Sequence, residues 1–358
     1  MIVPSEFEEL SLSGLEPITL AYQEKFNGEN TRPSYLFRRF LGKRYSIDGS
    51  WQALSADNGL IAADVIALDS PIPLKTRPSV GQVKGELPKL GTERALNESE
   101  LKQLRLLSRA GGDADLIRSI FFRDVEHCYG GVLEQIEAQF LQGLSTGVIL
   151  VDEDINVGTG IRVDFQYPAE NQFNASVVWG DPGYTPVTDI SAMIDEADAD
   201  FGLALIDRAT LNLLLSSDEA KELYANSIGL SSGSFVPTQD QLNAAFESRF
   251  GFGFEVVNRS VTYEINGVKQ TIKPWAAGQI VFLTNEQVGT LVWSDVEEMN
   301  NPVGGVTYSR AEDFILLKQY RLVRPSLKQI TASEAVALPV IADVQNIYKL
   351  DTTVAATT

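Results

Sequence analysis

The sequence predicts an α+β chain: one long helix, an extended arm ahead of it, strands after it, and a mixed α/β region inserted before a strand-rich return. Three observations predict this class. Ile117, Phe121, Val125, Cys128, Val132, Ile136, Phe140 and Leu144 recur at three- and four-residue steps, the period of one helix face. The β-rich runs VILVD (148–152), IRVDFQY (161–167) and SVVW (176–179) follow, separated by Gly, Asn and Pro turns. From Asp189 short helical and strand-like segments alternate before the last strands.

Residues 1–50 form an N-terminal segment with a basic cluster. Arg32, Arg38, Arg39, Lys43 and Arg44 stand between Thr31 and Tyr45 with no acid among them. Residues 51–97 hold the arm, whose stretch LKTRPSVGQVKGELPKLGTERALNESE (74–100) is punctuated by Gly and Pro. It has too few apolar side chains for a core of its own and is expected to lie on a partner chain. Lys75, Arg77, Lys84, Lys89 and Arg94 lie here against Glu86 and Glu93.

Residues 98–147 are mostly helix. The face opposite the apolar stripe carries Arg118, Arg123, Glu126, Glu134 and Glu137, and Asp113 or Asp115 stands at the expected N-cap. Gly130 and Gly131 interrupt it at about 1 kcal/mol each relative to Ala, which marks a bend or close packing and makes the pair a candidate hinge.

Beyond Asp189 the pattern predicts a helix near Ala192–Asp200, a strand LALID (203–207) and helices over 209–225 and 238–250. Thr238 with Gln241 forms a capping box for the last of these. Strands follow at FEVVN (254–258), VTYEING (261–267) and QIVFL (279–283), with Asn266-Gly267 as a hairpin turn. DFILLKQYRLVRPSLKQITASEAVALPVI returns to strand character.

With 358 residues, 44% hydrophobic and 9% aromatic, the chain can bury one large core or two ordinary ones. No apolar run is long enough to span a bilayer, and the acidic start MIVPSEFEELSL lacks the order of a secretory signal, so no membrane is expected and a cytosolic origin is. The net charge of −19 argues against sequence-independent nucleic-acid binding, which rests on cations neutralising phosphates. Charge is uneven: the two basic segments sum to +8 and leave −27 for the remainder. Basic segments on an acidic body complement that body's copies, which makes these ten cations candidate assembly contacts; the plainer reading is solvated faces.

Tests for chemistry fail. The one histidine, His127, adjoins the one cysteine, Cys128, on the long helix. Neighbouring helical side chains point about 100° apart and cannot work as nucleophile and base, so His127 reads as a surface residue and Cys128 as a packed thiol. One of each cannot build a zinc shell. Asp152-Glu-Asp-Ile-Asn-Val-Gly158 starts like a calcium loop but has Val157 where Gly is needed and Val163 where a bidentate Glu is needed; it reads as a turn. Phe250-Gly-Phe-Gly-Phe254 lacks what a phosphate cradle requires. No catalytic residue, cofactor or metal is expected, although 48 acids always offer some carboxylate pair.

The order of these parts resembles the major capsid proteins of tailed bacteriophages, the Hong Kong 97 fold. Within it the chain is similar to the phage lambda major head protein (capsid protein E) family. The resemblance rests on LGTERALNESELKQLRLL, LEQIEAQFLQGLSTGVI, Tyr184-Thr-Pro-Val-Thr-Asp-Ile190, KPWAAGQIVFLTN and the C-terminal stretch above, and covers about Phe26 to Leu350. YANSIGLSSGSFVPTQDQ (224–241) departs from the family's inserted domain.

The resemblance implies an N-terminal arm (1–50), an extended loop over a neighbour (51–97), a spine helix (98–147), a peripheral domain (148–188 with 318–358) and an axial domain (189–317). It implies hexamers and pentamers of one chain closing an icosahedral shell around double-stranded DNA, with scaffold, portal and cementing proteins as further partners. The setting would be the virion, assembled in a bacterial cytoplasm. Some members of the fold weld neighbours by a Lys–Asn bond; Lys75, Lys84 and Lys89 lie on the arm, but position alone does not carry such a link. An encapsulin-type compartment and an acidic carbohydrate-active enzyme are the rival readings.

Overall fold

The computed structural model describes residues 2–3, 16, 19–20, 22–23, 35–56, 80–109, 114–151, 160–230, 235–265 and 267–356. The chain begins with β1 (Ile2–Val3), a one-turn helix α1 (Phe37–Phe40), β2 (Leu41–Tyr45), β3 (Ser50–Ala56), β4 (Val80–Glu86) and β5 (Lys89–Leu96). Helices α2 (Glu98–Arg109) and α3 (Ala114–Thr146) lead to β6 (Val148–Val151), β7 (Ile161–Asp164) and β8 (Gln172–Ala175). Next come α4 (Pro186–Ala197), β9 (Leu203–Asp207), α5 (Arg208–Ser216), α6 (Asp218–Ser227), α7 (Gln239–Phe250) and β10 (Gly253–Val257). The remainder is β11 (Val261–Ile265), β12 (Val268–Ile272), β13 (Gln279–Leu283), β14 (Gly289–Ser294), α8 (Glu297–Asn300), β15 (Thr307–Ala311), β16 (Ile315–Leu322), β17 (Lys328–Ile341) and β18 (Ile347–Ala355).

Two sheets carry the molecule. A seven-stranded sheet runs β1-β16-β17-β14-β2, with β15 on β16 and β5 on β17. α3 lays its stripe on it, so Val125, Cys128, Val132, Ile136, Phe140 and Leu144 are all buried in one core with Leu317, Ala335 and Leu338. A five-stranded mixed sheet, β10-β9-β13-β18-β8, forms the second layer. Its core joins Ile206 and Phe282 to Leu211, Leu214, Leu242 and Phe246 from the helices. Phe250, Phe252 and Phe254 pack around Phe246, which assigns the Phe-Gly-Phe-Gly-Phe stretch to that core.

Local signals translate directly. The Thr238/Gln241 capping box is present in both directions, and β11 and β12 pair as the Asn-Gly hairpin. Ser217 splits the helix expected over 209–225: its backbone is extended, and its hydroxyl accepts from the Ala220 N–H as the cap of α6. The strand expected at 176–179 lies instead at β8, where register is set by parallel pairing with β18. Asp115 is the second residue of α3 and not its cap, and Asp113 lies outside the described residues.

Three expectations change more deeply. β5, read as part of an arm needing a partner chain, pairs along its length with β17 of its own chain. Glu137, read as part of the polar face opposite the apolar stripe, is buried at 1% exposure. The sheets also cut across the expected boundaries. β14 and β15 fall within 189–317 yet belong to the seven-stranded sheet, while β8 and β18 complete the five-stranded sheet with β9, β10 and β13. Pairing between strands far apart in sequence makes those assignments, and local composition carries no trace of it.

Candidate assembly interface

The basic N-terminal cluster acts first as a clasp within the chain. α1 buries Phe37 and Phe40, with Phe40 stacked 6.1 Å from Phe140 of α3. Its leading N–H groups have no partner inside so short a helix, and Leu36 and Phe37 donate to the two carboxylate oxygens of Glu137, each at 3.0 Å. Burial pushes the Glu137 carboxyl up to about 7 against the pull of those bonds and of Arg259.

Beside it, Glu312 is buried in the turn between β15 and β16. Arg38 donates to it, the Tyr129 hydroxyl donates at 2.5 Å, and the Lys43 ammonium lies 3.6 Å away. Arg39 reaches Glu255 at 2.7 Å and Glu286 at 2.9 Å, both at the surface. Arg44 donates to the Gln52 carbonyl at 3.0 Å. These bonds tie residues 35–45 to α3, β3, β10 and the turns after β13 and β15.

Cations of the second cluster are spent similarly. Lys89 pairs with Glu334 at 2.8 Å, which also holds Lys318 at 2.8 Å, and Lys318 reaches Glu298 at 2.5 Å. Arg94 lies 3.4 Å from Asp124. Among the described candidates, Arg44 and Lys84 are exposed and make no ion pair with a described residue. Arg32, Lys75 and Arg77 lie outside the described residues, as does the calcium-like stretch 152–158. The charge complementarity expected between copies is thus largely met inside one chain. Sequence reasoning missed the acids that meet it, Glu312, Glu334 and Glu255, because they lie more than 200 residues from their partners.

β3 and β4 form a hairpin that pairs with no third strand among the described residues. Its base is fixed by Trp51, 3% exposed and 6.3 Å from Phe165. The partner strand passes so close that a Cβ at Gly85 would stand 2.9 Å from the Trp51 indole nitrogen. The link from β4 to β5, the Gly130–Gly131 face of α3 and the β11–β12 hairpin enclose an open groove of about 1320 Å³ that His127, Glu134, Glu264 and Lys269 line. α3 runs through both glycines without a break, and a Cβ on Gly131 would stand 3.0 Å from the Thr92 methyl of β5. Gly131 is therefore a point of close packing.

Cys128 is a packed thiol, bonded to the Thr331 carbonyl at 3.3 Å and pushed up to about 12 by burial. His127 is exposed on the helix surface, and partial burial lowers its pKa. No metal-binding group of three or more His, Cys, Asp or Glu occurs among the described residues, and no described helix is long and apolar enough to cross a membrane.

A family model described as phage major capsid protein E matches residues 24–352. No curated protein matches the sequence. Among solved structures, a prophage protein of E. coli CFT073 described as a capsid protein superposes with a TM-score of 0.56 at 13% identity, covering 98% of this chain and 99% of that one. A phage-related protein of Bordetella bronchiseptica RB50 follows with a TM-score of 0.51 at 12% identity, covering 95% and 98%. At such identities the likeness is one of fold.

Proposed function

The chain belongs to the phage major capsid protein E family and is a major capsid protein of a phage head with a Hong Kong 97-like fold, and from that premise we propose that its copies assemble as hexamers and pentamers into an icosahedral shell around double-stranded DNA. Closed symmetry lets one chain exhaust its adhesive surfaces without open-ended growth. An acidic wall at −19 per chain would hold DNA by enclosure, since few phosphates would be neutralised.

The observation that carries this reading is the β3–β4 hairpin, anchored at Trp51 and with both outer edges free of strand partners among the described residues. A free strand edge seeks another chain's backbone, and a shell supplies one at every position. In this reading the hairpin is the extended loop, α3 the spine, the seven-stranded sheet the peripheral domain and the five-stranded α/β layer the axial domain. Scaffold, portal and cementing proteins would be its other partners, and assembly would take place in the host cytoplasm. The contact of Gly131 with Thr92 is where α3 and β5 would shift between precursor and filled shells. Unchanged hydrogen exchange in both elements between those shells would refute that shift.

The test is expression of the chain alone and with its scaffold, followed by negative-stain microscopy and light scattering. Shells, tubes or rings are expected; a monomer under every condition overturns the reading. Replacing residues 57–79 by a short Gly-rich turn should then leave a folded chain that makes no shells. That cut spares β5, which the body sheet needs.

A further inference from the structure

We infer that Asn243 of α7 closes the outer edge of the five-stranded sheet, so that copies of this chain cannot join strand to strand there. β10 ends that sheet and pairs with β9 alone among the described residues. Its sequence, GFEVV, is rich in β-forming apolar side chains, the kind of edge that takes up another strand. On the open side, however, the Phe254 backbone is already engaged. Its N–H donates to the Asn243 carboxamide oxygen at 2.9 Å. Its carbonyl accepts from the Asn243 nitrogen at 3.0 Å and from the Gln239 nitrogen at 3.3 Å.

A carboxamide carries an acceptor and a donor in one plane, as a peptide group does, so Asn243 stands where the backbone of a further strand would lie. Gln239, Asn243 and Glu247 follow at four-residue steps and share one face of α7, the face laid along β10. Gly253 lets the helix come this close: a Cβ there would stand 3.2 Å from the Glu247 carboxylate and 3.4 Å from the Asn243 carboxamide carbon. Asparagine is a poor helix former, and inside α7 it gives up helix stability that Ala or Leu would supply. Core packing does not account for it, since Leu242 and Phe246 make that contact. The bonds to the Phe254 backbone do. The partner kept out is a second copy, because every copy presents the same β10 edge and two such edges are self-complementary.

The test is made on dispersed subunits, so its outcome is independent of the shell reading. Asn243→Ala favours the helix, adds little apolar surface and removes the two Asn243 bonds to Phe254. Light scattering should show this variant associating at about tenfold lower concentration than wild type, with the infrared band of intermolecular β-sheet. A second variant adds Val256→Pro. Val256 lies two residues on from Phe254, so its N–H faces the same open side, and a proline there blocks strand addition without touching the ladder to β9. The double variant should return association to the wild-type level. Association of Asn243→Ala equal to wild type overturns the inference. So does a double variant that associates as readily as the single one, because a loosened α7, and not an opened edge, would then be the cause.

Discussion

The body around α3 and the layer around β9 carry charge in opposite ways. In the body, cations from distant segments are matched to acids: Arg38 and Lys43 to Glu312, Lys89 and Lys318 to Glu334, Arg94 to Asp124, Arg259 to Glu134. In the α/β layer acids outnumber bases eleven to three between 189 and 250, and cohesion comes from an aromatic core. The first region uses electrostatics to hold one chain together. The second leaves most of its acids without a cationic partner among the described residues, Asp218 with Lys221 apart.

The sharpest way to break this contrast is to remove Glu312. Glu312→Ala removes the buried carboxylate to which Arg38 and the Tyr129 hydroxyl donate, so urea unfolding of the dispersed chain should show a loss of about 3–5 kcal/mol. A loss near zero would mean that the clasp contributes nothing to cohesion.

Glu137 gives a smaller effect with a pH signature. Its carboxyl is raised from 4.5 to about 7 in the folded chain, so the folded state binds that proton more tightly than the unfolded one. The stability it contributes is complete below about pH 4.5 and is lost as pH rises through about 7. Glu137→Gln keeps one acceptor for the two N–H groups and should cost about 1–2 kcal/mol at low pH. It should also flatten the decline seen in the wild type across that window; parallel curves would refute the assignment.

Next comes the packing of α3 on β5. Gly131→Ala gains about 1 kcal/mol of helix propensity but presses on the Thr92 methyl. Adding Thr92→Ser removes that methyl, and the double variant should exceed Gly131→Ala by about 1 kcal/mol, a coupling read from a double-mutant cycle. The smallest effect belongs to Arg39, whose partners lie at the surface: Arg39→Ala should cost less than about 1 kcal/mol, and less still at high salt.

What the sequence made legible follows the range of the forces involved. The α3 stripe, the Thr238 cap, the Asn-Gly hairpin and the fully buried strand 279–283 are specified by neighbours within a few residues, and each appears where its local signal places it. The family itself was legible from the order of such parts. Glu137 was not: on the helix wheel it belongs to the polar face, and its burial depends on α1, 100 residues earlier in the chain. The pairing of Lys89 and Arg94 within the chain was not legible for the same reason, since β5 finds its place only through β17.

The position of β18 has a consequence for how the chain is made. That strand lies between β13 and β8, so the five-stranded layer stays incomplete until Ile347–Ala355 have left the ribosome. Throughout synthesis of the preceding segments, β13 presents an unpaired edge to whatever is nearby, and the pairing of β18 with β8 spans most of the layer's sequence. A prematurely terminated chain would carry that open edge and could not complete the layer. Synthesis of β18 is therefore the step that closes the layer.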